Sequence, residues 1–192
     1  MVDNIIKKFG MSNLFIELEI RQLEEMYGYS LKNNPKNDND KDNIYYPQFE
    51  KAIRQEASEM ARHYEVFYCL ENSIRDLISK MLKDTYGPNW WETKVSLEVK
   101  RNVTNNMNKE IDSGVTQRSE EPIDYTTFGE LGEIIKQNWD IFGSVFSSIK
   151  AVEKVMASLN LLRAPIAHCS RLAEDEIVRL KLALRDWFRL ME

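Results

Sequence analysis

The sequence predicts an all-α fold, and three observations carry that reading. The chain has 192 residues but only seven Gly and five Pro, so its turns are few and its regular elements long, which favours helices over a many-stranded β fold. Apolar residues recur three and four positions apart along most of its length, the spacing that lines one face of a helix. Helix-end signals stand where that periodicity starts and stops.

Taken in order, Leu14, Phe15, Leu18, Leu23 and Met26 predict an amphipathic helix from Ser12 to about Tyr29. The Asn- and Asp-rich stretch 33–43 has nothing to bury and is expected to be a flexible loop. Residues 1–45 therefore read as an N-terminal helical extension, and 46–192 as the helical domain proper. Pro47 suits a first helical turn, and the pattern then runs to about Asp84, long enough that a kink or break is possible. Phe67, Leu70, Ile74, Leu77, Ile78 and Met81 form its apolar stripe, with Glu71, Arg75 and Tyr64 at the edge. Tyr86-Gly87-Pro88 ends it, followed by Trp90-Trp91.

A polar helix is expected over 93–110, then a loop from Ile111 to Pro122. Thr126 or Thr127 can cap the next helix, with Glu130 placed for a capping box. Leu131, Ile134, Ile135, Trp139, Phe142 and Phe146 carry that helix to Phe146 or beyond. Another spans about Ser148 to Leu162 and should stop before Pro165, because proline disfavours a helical conformation at Ala164. The last runs from about Leu172 to Leu190. Glu174, Asp175 and Glu176 in its first turn, and Arg185 and Arg189 near its end, complement the helix dipole.

Composition narrows the function. Charged residues at 30% and hydrophobic ones at 43% are ordinary for a soluble globular protein. The net charge of -5 excludes a generic basic coat for nucleic acid, so any RNA contact must be local. The segment from Lys150 to Glu192 holds eight Lys or Arg against six acids, which permits such a contact without arguing for it. Two cysteines, Cys69 and Cys169, read as reduced thiols of a cytoplasmic protein, with no Cys/His set spaced for zinc. No metal or cofactor is expected. The N-terminus carries scattered charges and no long apolar run, so neither a signal peptide nor a membrane span is expected. The sequon at Asn102 then reads as a coincidence.

One constellation could carry chemistry. Arg163 precedes His168, one of two histidines, with four residues between them in LLRAPIAHCS. If Pro165 breaks the helix, both can project towards one spot. An Arg fork neutralises a phosphodiester, and an imidazole can take or give a proton. By spacing alone the pair is weak evidence.

These residues resemble the ribonuclease signature of the HEPN family (higher eukaryotes and prokaryotes nucleotide-binding), an Arg followed four to six residues later by a His. YEVFYCLENSIRDLI (64–78), the Tyr-Gly-Pro-Asn-Trp-Trp turn (86–91) and DYTTFGELGEIIKQNW (124–139) extend the likeness over about residues 60–190. They resemble the branch found in a eukaryotic RNA-surveillance endonuclease and in bacterial defence and toxin proteins. The resemblance implies a helical bundle that dimerises and brings two Arg/His motifs into one cleft. It implies metal-independent cleavage, in which the RNA 2′-hydroxyl attacks the adjacent phosphate. His168 would be the general acid or base, and Arg163 would hold the scissile phosphate. Glu71 and Arg75 fall where acidic and basic residues support the site. RNA, a second copy of the chain, and an antitoxin or regulatory protein are the partners implied.

Ala164 departs from the family, in which the residue after the Arg is usually polar and most often Asn. Either the site is weakened in this chain or the Ala was introduced to silence it. Bland readings stand beside these. Glu71 and Arg75 could be an ordinary one-turn pair on a solvated edge, the four Trp are core or dimer anchors, His63 is a surface residue, and Cys169 is a small packing residue. Three functions remain open: an RNA endonuclease acting as toxin or antiviral effector, an inactive HEPN-like dimerisation or RNA-binding module, and an unrelated helical interaction protein.

Overall fold

A computed structural model of the chain describes residues 49–192, and every regular element among them is helical. The all-α expectation holds. The extension expected over 1–45, with its helix and Asn/Asp-rich loop, lies outside the described residues, as does Pro47.

Helix α1 (Lys51–Tyr86) runs 36 residues without the break that its length allowed for. From Val66 onwards its stripe of Phe67, Leu70, Ile74, Ile78 and Leu82 is buried. Gly87 stops it with a left-handed φ of 75°, a conformation that costs glycine little, and its N–H bonds the Lys83 carbonyl at 2.9 Å. The polar helix expected over 93–110 divides in two. Short α2 (Trp90–Lys94) buries Trp90, and α3 (Leu97–Asp112) starts where the Ser96 hydroxyl accepts from the Val99 N–H at 3.3 Å. The following loop is pinned by Arg118, whose backbone N–H bonds the Glu110 carboxylate at 3.1 Å. It closes in a 3₁₀ turn, Pro122–Tyr125.

The capping box forms as the sequence predicts. The Thr127 hydroxyl accepts from the Glu130 N–H at 3.4 Å, and Glu130 accepts from the Thr127 N–H at 2.7 Å, opening α4 (Phe128–Gln137). The expected continuation to Phe146 is broken at Asn138. This residue is buried, and its amide donates to the carbonyls of Ile134 (2.9 Å) and Lys94 (3.1 Å). The Ile134 carbonyl also accepts the Asn138 N–H at 3.3 Å, and the backbone of Asn138 leaves helical geometry with φ -112° and ψ 38°, so the regular ladder ends there. Only one further turn, α5 (Trp139–Phe142), follows.

Helix α6 (Ile149–Ala167) packs against α1, α4 and the final helix α7 (Glu174–Arg189), so it lies at the centre of the bundle. Leu131, Ile134 and Ile135 of α4, Leu159 of α6 and Trp187 of α7 complete the core. Each buried aliphatic contributes about 1.5–3 kcal/mol by leaving water.

The expected stop before Pro165 is overturned, because α6 passes through that proline to Ala167. The missing N–H affects only the exposed last turn, and a Schellman arrangement closes the end. The Ser170 N–H bonds the Pro165 carbonyl at 2.8 Å, and the Cys169 N–H bonds that of Ile166 at 3.3 Å. Cys169 takes the left-handed position with φ 55°, where glycine is usual. Cys169 is exposed, so it is not the packing residue expected from sequence.

Candidate active site

Three elements meet beside the end of α6. Glu71 lies on the flank of the α1 stripe, only 9% exposed. One of its oxygens accepts from Arg75, one turn on, at 2.5 Å. The other accepts from Nε of Arg163 on α6 at 3.0 Å. Arg75 also donates to the Thr126 carbonyl at 3.1 Å. Thr126 stands in extended backbone just ahead of the α4 cap, fixed by its hydroxyl's 2.6 Å bond to the Ile123 carbonyl.

The solvated-edge reading of Glu71 and Arg75 is therefore corrected: their side chains retain 11% and 14% exposure. The helical wheel puts Glu71 at the margin of the stripe, and only the docking of Arg163 from α6 shows that the margin is covered. Thr126 is a member that sequence reasoning read as a candidate cap alone. No signal in the sequence marks its carbonyl.

Electrostatically the cluster is two guanidiniums around one carboxylate, which leaves one positive charge. Charge-assisted bonds of this kind are short and orienting. Nε of Arg75 is buried without an acceptor, so this guanidinium depends on Glu71 for its counter-charge. Arg163 is the more open partner, its side chain 36% exposed. The bond to Glu71 uses Nε and leaves the two terminal nitrogens of its fork for another acceptor.

His168 enters the turn that closes α6 at its end, two residues later than a break at Pro165 would place that turn. It is the C-cap of α6, exposed, five positions beyond Arg163. At 100° per residue the two positions differ by about 140° around the helix. Ala164 shares the other face: Ala157, Leu161, Ala164 and His168 follow one another at four, three and four residues, and all are exposed. Leu161 is 76% exposed. The structure thus brings Arg163, Glu71 and Arg75 together and sets Ala164 and His168 on an outward strip.

The remaining candidates fall elsewhere. His63 is half-buried rather than on the surface, and burial, then the charges of Lys181 and Arg62, push its pKa below the ordinary imidazole value against the pull of Glu59. Trp187 and Trp90 are core residues, whereas Trp91 and Trp139 are half-buried. Among the described residues, no group of three or more His, Cys, Asp or Glu lies close enough to hold a metal ion. No helix among them is long and apolar enough to cross a membrane.

A family model described as Swt1-like HEPN matches residues 65–192, from the middle of α1 to the end of the chain. No curated protein and no solved structure matches the chain.

Proposed function

Since the chain belongs to the Swt1-like HEPN family, we propose that it is a metal-independent RNA endonuclease working as a homodimer in the cytoplasm. It acts as a toxin or antiviral-defence effector, under an antitoxin or regulatory protein. The observation that carries the reading is the buried Glu71 that holds Arg163 at 3.0 Å, five residues before an exposed His168. A phosphate-binding guanidinium needs a fixed orientation, and the Glu71–Arg75 pair supplies it. A proton-transferring imidazole needs access to substrate, and the C-cap position supplies that.

In this mechanism the terminal nitrogens of Arg163 hold the scissile phosphate and stabilise the charge that grows on its oxygens. An imidazole takes the proton of the 2′-hydroxyl, whose oxygen forms a bond to phosphorus as the bond to the 5′-oxygen breaks. That 5′-oxygen receives a proton from a second imidazole, leaving a cyclic phosphate and a 5′-hydroxyl. One subunit presents a single His168 to its outward strip, so a second copy supplies the other imidazole. The apolar exposure of Ala157, Leu161 and Ala164 beside it suits a self-complementary contact across a twofold axis. Both cysteines are free thiols, in keeping with a reducing compartment.

Ala164 favours a second reading, an inactive HEPN-like module that dimerises or binds RNA. A methyl group cannot hydrogen-bond phosphate or orient a neighbouring side chain as a polar residue there would.

Incubating the full chain with total RNA in EDTA tests the assignment. Cleavage that disappears in both Arg163→Ala and His168→Ala supports it, and a His168→Ala chain that cuts as well as its parent rejects it. RNA binding without cleavage supports the inactive module.

A further inference from the structure

Two tyrosines stand in the open beside the arginine cluster. Tyr64 and Tyr68 are each 60% exposed, with ring centroids 6.2 Å apart and planes tilted by 38°. Positions 64, 68, 71 and 75 are separated by four, three and four residues, so all four form one stripe along α1. Half of that stripe is the Glu71–Arg75 pair that fixes Arg163. Measured along the axis, Tyr68 stands about 4.5 Å from Glu71 and Tyr64 about 10.5 Å.

The segment carrying His168 runs past the same turns. Arg163 bonds Glu71 at 3.0 Å, and Arg171 bonds Glu59 at 3.4 Å, so residues 163–171 lie antiparallel to 59–71. The tyrosines fall inside that interval, on the flank that Glu71 and Arg75 occupy. A strand whose phosphate sits on Arg163 and approaches His168 must leave the site across this flank or the opposite one. The first offers the exposed rings of Tyr64 and Tyr68.

We propose that Tyr64 and Tyr68 form a base-stacking subsite that selects single-stranded RNA and holds the nucleotides next to the phosphate bound by Arg163. The proposal rests on the nuclease reading and names the substrate class of that site. Stacking on an exposed ring demands an unpaired, unstacked base, because a duplex keeps its base faces covered. The tilt and the 6.2 Å spacing leave no room for a base between the rings. Each ring therefore offers its outer face to a separate, successive base. Charge agrees with a polyanionic occupant at the cluster, where two guanidiniums share one carboxylate and leave one positive charge; Arg171, at the far end of the interval, is balanced by Glu59. Stacking depends little on base identity, so the subsite favours unpaired RNA over a particular sequence.

The test uses the full chain carrying His168→Ala, so that bound RNA is not cut, and short single-stranded RNA with 2-aminopurine near its centre. Binding should quench the fluorescent base. Tyr64→Ala and Tyr68→Ala should each weaken binding by about tenfold, the effect of one lost base–aromatic stack, and reduce the quenching. Tyr64→Phe and Tyr68→Phe keep the ring faces and should retain both. Fully paired RNA of the same sequence should bind weakly and not be quenched. Alanine variants that bind and quench like their parent overturn the subsite while leaving the nuclease reading intact. Alanine variants that dissociate to monomers in sedimentation with unchanged RNA affinity assign the tyrosines to a surface between copies instead. A parent chain that binds no RNA overturns both. Because both rings are exposed, melting temperatures should stay within about 2 °C of the parent, as for ordinary surface substitutions.

Discussion

Replacing Glu71 by Gln changes one charge and almost no volume, and it separates the two roles of the arginine cluster. In the folded chain Glu71 is 9% exposed and answers two guanidiniums. Removing one partner of a buried pair typically costs about 3–5 kcal/mol, because a charge is left without compensation. Two features reduce that figure here. Arg163 can turn its 36%-exposed side chain towards water, and Arg75 keeps its 3.1 Å bond to the Thr126 carbonyl, worth about 1.5–3 kcal/mol for a charged donor. The expected net cost of Glu71→Gln is then about 2–3 kcal/mol, a fall of about 5–10 °C in Tm for a chain of this size. Arg163→Ala leaves the Glu71–Arg75 pair intact and should cost about 1 kcal/mol or less. Urea unfolding of the three proteins, with the Glu71→Gln/Arg163→Ala double variant to close the cycle, measures both terms. Equal costs for the two single variants, or a Glu71→Gln change below about 0.5 kcal/mol, the range of ordinary surface substitutions, refute the reasoning.

Leu161→Asp changes a residue that is 76% exposed in the single chain, so folding should hold while self-association falls by at least tenfold and RNA cleavage falls with it. Light scattering and the cleavage assay, run on the same samples, check this, and an unchanged dimer removes the outward strip of α6 as its interface. His63 supplies a pH signature. Its proton is disfavoured in the folded state by burial and by Lys181 and Arg62, so its contribution to stability is present above the unfolded imidazole value and is lost as pH falls from there towards the lower folded value. Tm should drop more steeply on acidification for the parent than for His63→Gln, and parallel curves count against the assignment.

The helices were legible where one residue type speaks for itself. Thr127 and Glu130 cap α4 as their spacing predicts, and of the stripe read on α1, Phe67, Leu70, Ile74 and Ile78 are buried while Leu77 and Met81 are half-buried. What could not be read depended on distant partners or on an unusual cap. Asn138 breaks its helix partly by reaching the Lys94 carbonyl, 44 residues away. The helix passes Pro165 and is closed only at Cys169, which takes the left-handed position with no glycine present. At the candidate site, the spacing of Arg163 and His168 was visible in the chain. The place of His168 as the exposed cap of α6 was not, because it follows from the continuation of that helix through Pro165, which the proline argued against. The burial of Glu71 was equally hidden, since it arises where Arg163 docks from 92 residues away.

The central claim is that Arg163 and His168 form an RNA-cutting site that Ala164 weakens. The most direct measurement is cleavage of single-stranded RNA in EDTA by the full chain and by its Ala164→Asn form, with product ends identified. A restored polar contact of this kind is worth on the order of 100-fold in rate. Ala164→Asn should cut about that much faster, leave cyclic phosphate and 5′-hydroxyl ends, and lose this activity when His168→Ala is added. An Ala164→Asn chain that folds and dimerises but leaves RNA intact, or one whose cutting survives His168→Ala, contradicts the claim.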